Sequence, residues 1–170
     1  QKNIHLEVAV KFYLGSPPYE NPYRWFGTNI KDQLGKKLDH LKNHQTQLSK
    51  IYKHKLTEEI DEQHCLIKGR LFYPSGVLSC PKGVTSNHLK GSWAYTQDVD
   101  IDSLLAIGKA DWLAELKHAD ICRLQNNPKV LLTDRAQCFV DTQKNNSGKY
   151  QELNRVFCLP SDFDFPNRPS

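Results

Sequence analysis

An α/β fold is predicted by three observations made along the first half of the chain. Residues 4–14 alternate with period two, residues 29–48 carry apolar side chains at helical spacing, and residues 65–73 form a second apolar run that ends at Pro74. The whole has the size of one domain: 170 residues, 38% of them apolar, with three Trp, seven Tyr and seven Phe. That composition can fill a core, which excludes a chain disordered throughout.

The first strand reads Ile-His-Leu-Glu-Val-Ala-Val-Lys-Phe-Tyr-Leu. Side chains alternate across a strand, so Ile4, Leu6, Val8, Val10 and Phe12 share one side. His5, Glu7, Ala9, Lys11 and Tyr13 share the other. The connection from Gly15 to Gly27 is long, and it is rich in Pro and aromatics. Tyr19, Tyr23, Trp25 and Phe26, with Arg24, are suited either to stacking bases or to covering the core.

A helix is predicted over residues 29–48, with Asn29 as its cap and Asp32 at the third helical position. Its apolar stripe is Ile30, Leu34, Leu38, Leu41 and Leu48. Gly35 inside that stripe points to close packing or to a tolerated cost. Beyond the second strand, residues 76–91 read as loop, and residues 102–116 as a mixed segment around Trp112. Residues 129–133 read as a short strand. Residues 137–142 and 153–159 read as arms of a hairpin about Asn145-Asn146-Ser147-Gly148, and the tail from Pro160 as loop or disorder.

Charge is unevenly placed. The net value is +4, but residues 1–56 hold ten Lys and Arg against four Asp and Glu. A basic first third suits a polyanion, whose phosphates release counterions on binding, or it is a solvated helix face. No Cys-x-x-Cys pair occurs among Cys65, Cys80, Cys122, Cys138 and Cys158, which excludes zinc-ribbon and thioredoxin-like motifs. Cys65, Cys138 and Cys158 lie in apolar runs and are expected to be buried thiols. A reducing, cytoplasmic location is the corresponding expectation. No apolar run reaches the length of a membrane helix, and the opening residues lack the apolar stretch of a secretory leader. Met is absent and the chain opens directly into a strand pattern, so the sequence is expected to be part of a longer chain.

Two groups of residues could carry chemistry. Glu7 and Lys11 lie on one side of the first strand, about 13 Å apart along it. A carboxylate for Mg²⁺ beside an amine that steadies developing charge is the minimum for metal-assisted phosphodiester hydrolysis, although a wet strand face pairs acid with base as well. On the helix, Gln33, Lys37, His40 and His44 fall within about 60° of arc beside the leucine stripe. Phosphate contact, water positioning, a zinc site and ordinary boundary polarity all fit that stripe. The His-Glu-x-x-His arrangement of zinc hydrolases is absent.

These motifs resemble a known family. Residues 7–15, Trp25-Phe26-Gly27-Thr28-Asn29, the run from Asp32 to His40, Gly69-Arg70-Leu71-Phe72-Tyr73-Pro74 and His88-Leu89-Lys90-Gly91-Ser92-Trp93 are together similar to the bacterial proteins grouped as domain of unknown function 1853. That family looks like a divergent branch of the PD-(D/E)XK nucleases. The resemblance implies a mixed sheet flanked by helices, a restriction-endonuclease-like core in residues 1–75 with an extension over 76–170. The 170 residues would form a single domain, the carboxy-terminal part of a longer nuclease-like chain.

It further implies a Mg²⁺- or Mn²⁺-dependent nuclease acting on nucleic acid, with Glu7 as metal ligand and catalytic residue and Lys11 as catalytic lysine. Lys37, His40 and His44 would contact the backbone. Two departures stand beside this. Ala9 occupies the usual lysine place of Glu-x-Lys, and no acidic residue precedes Glu7. A nucleic-acid-binding or structural protein that kept the fold without catalysis is the alternative expectation.

Overall fold

The computed structural model describes residues 2–44, 47–77, 79–112, 114–128 and 135–166. Among these residues seven strands form one mixed sheet with a few helices against it, the α/β architecture expected. The strands are β1 (Ile4–Gly15), β2 (Trp25–Phe26), β3 (Glu62–Tyr73), β4 (Leu89–Tyr95), β5 (Leu105–Ile107), β6 (Gln137–Lys144) and β7 (Tyr150–Leu159). The helices are α1 (Leu34–Asn43), α2 (Leu48–Ile51) and α3 (His118–Asn126). Spatial order is β2-β1-β3-β4-β7-β6-β5. β1, β3, β4 and β7 run parallel, while β2, β6 and β5 pair antiparallel with their neighbours.

The β1–β3 register runs from Ile4 opposite Glu62 to Leu14 opposite Phe72, and α1 and α2 make the crossover between the two strands. A parallel pair needs such a long connection, and the leucine stripe supplies its buried face: Leu34 and Leu41 are buried. The helix is shorter than the predicted 29–48. Gly27 N–H donates to the Asp32 carbonyl and Phe26 bridges Gln33, so residues 27–33 double back as a loop rather than a first helical turn. Asn29 accepts from Lys31 N–H inside that loop instead of capping a helix. Gly35 is explained by packing, since a Cβ there would lie 2.6 Å from the Tyr23 ring.

Residues in register share a face, and the two faces bury different cores. Leu14, Phe72, Trp93, Phe157 and Ile107 line one of them, under Ile121 and Leu124 of α3 and under Leu116 and Phe165. Of the two expectations for the tail from Pro160, loop or disorder, the described part up to residue 166 is loop, and it is anchored by Phe165, only 2% exposed. On the opposite face Tyr13, Leu71 and Tyr73 pack with Trp25 and Leu34. Ala106, Phe139, Val156 and Cys158 continue that face.

Arg155 is fully buried; it donates to the Asp111, Trp112 and Ala114 carbonyls and to Glu152. Glu152 also faces Arg70 at 3.5 Å, so one carboxylate serves two guanidinium groups. The hairpin forms as predicted, with the Asn145 side chain accepting from Ser147 and Lys149 N–H and Gly148 at positive φ. The predicted strand at 129–133 lies outside the described residues.

Two features depart from the reading of the first strand. β2 pairs with β1 only at Leu14 and Gly15, and β4 pairs with β3 only at Arg70 to Tyr73, so residues 4–10 and 62–68 project as a two-stranded parallel ribbon. On the ribbon the apolar side is the open one: Ile4, Leu6, Val8 and Val10 are 52–53% exposed. The side with His5 and Glu7 is the covered one, under Ser49 of α2. Cys65 is exposed on the ribbon, contrary to expectation, whereas Cys138 and Cys158 are buried as expected. Gly69 marks where the ribbon joins the sheet. Its φ is +151°, and a Cβ there would fall 1.5 Å from the Lys11 carbonyl oxygen, so only glycine fits. Among the described residues no helix is long and apolar enough to cross a membrane.

Candidate functional site

β1 sends Glu7 and Lys11 to the same side of the sheet, as the alternation required, yet each finds its own partner. Glu7 Oε1 lies 3.1 Å from His5 Nε2, and both side chains are about three-quarters buried or more. His5 Nδ1 meets Ser49 Oγ at 3.0 Å, and Ser49 Oγ accepts from Gln63 Nε2 at 2.7 Å. The proton positions consistent with this chain are an Nε2–H donating to the carboxylate and a Ser49 hydroxyl donating to Nδ1. The polar side of the ribbon therefore carries a hydrogen-bonded chain from Gln63 of β3 through Ser49 of α2 and His5 of β1 to Glu7.

Lys11 belongs to a different group. Its Nζ donates to Asp32 Oδ2 at 2.7 Å, and Tyr13 Oη donates to Asp32 Oδ1 at 3.3 Å. Burial, reinforced by the Asp32 charge, raises the Tyr13 phenol well above its ordinary pKa, so Tyr13 stays a donor. Lys11 and Asp32 are both about one-third exposed. Lys11 stands at the lip of two cavities. One, of about 250 Å³, lies between the sheet and α1 and is lined also by Tyr13, Leu38, Cys65 and His88. The other, of about 400 Å³, opens at the edge of β1 beside Thr28, Asn29, Asp32, Lys109 and Trp112.

The helical stripe does not join this centre. His40 on α1 and His44 just past its end are exposed, their rings stacked with centroids 5.0 Å apart. Lys37 is half-buried, and none of the three lines either cavity at Lys11. Among the described residues no group of three His, Cys, Asp or Glu side chains could hold a metal ion, so the two histidines lack the further ligands of a zinc site. The aromatic connection serves the core, with Trp25 and Phe26 buried.

Asp32 is the residue whose sequence pattern pointed elsewhere, to a helix-capping pair. Lys109 could not be foreseen at all, because nothing local ties residue 109 to residue 11. His88 is held on both ring nitrogens, with Nδ1 2.6 Å from the Thr85 carbonyl and Nε2 2.7 Å from Tyr73 Oη. It fastens the loop before β4 against the sheet.

Mg²⁺ suits oxygen ligands, and proteins commonly supply one or two carboxylates while water and substrate phosphates complete the shell. Glu7 could offer one such ligand, since His5 engages only one of its oxygens. Asp32 is committed to Lys11 and Tyr13. The described residues thus offer one carboxylate and an amine, not a preformed cage.

The family model for a domain of unknown function (DUF1853) covers residues 1–159. No curated protein and no solved structure matches the chain.

Proposed function

The chain belongs to the DUF1853 family, and from that premise we propose that it acts on nucleic-acid phosphodiesters as a divergent Mg²⁺-dependent nuclease of the PD-(D/E)XK type. The observation that carries this reading is the β1–α1–β3 unit. It sets Glu7 and Lys11 on the helix-covered side of a parallel strand pair, with Lys11 at the mouth of two cavities. Glu7 would hold the metal, which supplies charge neutralisation at the phosphate and an acidified water. Lys11, released from Asp32 by an incoming phosphate, would neutralise charge on the non-bridging oxygens. With a single carboxylate from these residues, the metal would bind chiefly in the presence of the substrate phosphate.

A test is incubation of the chain with single- and double-stranded DNA and RNA in Mg²⁺ or Mn²⁺. The reading expects cleavage that Glu7→Gln and Lys11→Ala each reduce at least ~100-fold, about 2.7 kcal/mol of transition-state stabilisation. Intact substrates under all conditions, or cleavage unchanged by Glu7→Gln, would overturn it.

A second reading, nucleic-acid binding without hydrolysis, is favoured by one specific observation. Glu7 and Lys11 are held by separate partners, His5 and Asp32, and Ala9 rather than a lysine stands between them. Salt-sensitive binding without metal-dependent turnover would select it.

A further inference from the structure

The cavity at the edge of β1 does not end at Trp112. A second one, of about 720 Å³, shares Thr28, Lys109 and Trp112 with it and continues past Arg135 to Phe163. The two form one groove that starts at Lys11, crosses the segment after β5 and reaches the start of β6. Among its described lining residues, Lys11, Lys109 and Arg135 stand against one carboxylate, Asp32. The acid nearest Lys109 in sequence, Asp111, faces Arg123 at 3.4 Å and does not line the groove. Lys109 and Arg135 are exposed.

Trp112 lies between the cations and cannot turn freely. Phe12 and Phe157 meet its ring edge-on at 5.2 and 5.3 Å, and its indole N–H donates to the Ile107 carbonyl. A fixed, half-buried indole flanked by cations is the arrangement on which an unpaired base stacks while the neighbouring phosphates are neutralised. A duplex keeps its bases inside and has no face to offer such a ring.

We infer that this groove is a binding path for single-stranded nucleic acid, entered at Lys11 and followed through Lys109 and Trp112 to Arg135. The inference deepens the phosphodiesterase reading by naming its substrate's path, and it rests on that reading for the meaning of Lys11. It places the strand along the edge of β1, not across His40 and His44 at the end of α1.

The test is run without metal, in chelator, so that cleavage plays no part in it. A fluorescein-labelled 12-nucleotide oligothymidylate is titrated with the full chain between 50 and 200 mM salt, read by anisotropy. Three cations give an expected slope of log affinity against log salt of about −2, falling to about −0.7 when two are removed. Lys109→Glu with Arg135→Glu is expected to weaken binding at least ~10-fold at low salt, and the paired change to Gln to act in the same direction. Unlabelled oligonucleotide is expected to quench tryptophan emission through Trp112, because Trp25 and Trp93 are buried. Trp112→Phe should abolish that quench.

Any of these results overturns the inference: no binding by the chain, affinity and salt slope unchanged in the Lys109/Arg135 pair, or binding lost only on His40→Ala with His44→Ala. A duplex of the same length that binds as tightly and quenches equally also overturns it. Failure of the cleavage test leaves this result standing, and failure here leaves cleavage to be judged separately.

Discussion

The two ends of β1 obey the same alternation and meet opposite fates. From Phe12 onward the even-numbered side chains enter the core: Phe12 packs on Phe72, Trp112 and Phe157, and Leu14 is fully buried. From Ile4 to Val10 the same side is open, and the polar side is the covered one. Period two fixes which residues share a face; it does not say which face the rest of the chain will cover. Coverage depends on segments far away in sequence, Trp112 and α3 for the inner end and α2 for the ribbon.

The largest expected difference between the two regions is in thiol chemistry. Burial pushes the Cys138 thiol up to about 12 and the Cys158 thiol up to about 11, so neither forms thiolate near neutral pH. Cys65 on the ribbon is exposed. Native alkylation followed by mass spectrometry should label Cys65 at least ~100-fold faster than either core cysteine. Comparable rates at all three would mean that the core end opens as readily as the ribbon.

Next in size is the buried charge cluster at the inner end. Removing the Glu152 carboxylate with Glu152→Gln strands Arg155, which is fully buried, and Arg70, which is nearly so. A loss of about 3–5 kcal/mol in a denaturant melt is expected. Gly69→Ala at the junction forces a Cβ onto the Lys11 carbonyl, at a cost of about 2 kcal/mol or more, and it tests whether ribbon and sheet are one rigid strand pair. The smallest effect belongs to the open side. Leu6→Ser and Val8→Thr should change stability by less than about 0.5 kcal/mol and improve solubility. A loss above about 2 kcal/mol would show that this side is covered in solution.

Much of the architecture could be read from local signals. The strand at residues 4–14, the leucine stripe of α1, the second strand and the Asn145 hairpin each carry a periodicity or turn chemistry that acts within a dozen residues. The failures share a different cause. Asn29 and Asp32 satisfy the rules for a helix start, but tertiary pairing of Phe26 with Gln33 turns them into a loop. Cys65 opens an apolar run whose start lies exposed on the ribbon, while Leu71, Phe72 and Tyr73 at its end are buried. In the candidate site, the common side of Glu7 and Lys11 was legible from parity alone. Their separate partners, His5 and Asp32, were not, because side-chain pairing across a loop leaves no period in the sequence.

The position of β7 has a consequence for how the sheet is assembled. The seventh strand in sequence lies inside the sheet, pairing with β4 on one side and β6 on the other. During synthesis, β1 to β4 and the β5–β6 pair can each gather, but they cannot join until residues 150–159 emerge. The ribosome therefore delivers this sheet as two unlinked halves, and its seventh strand is the stitch that makes them one.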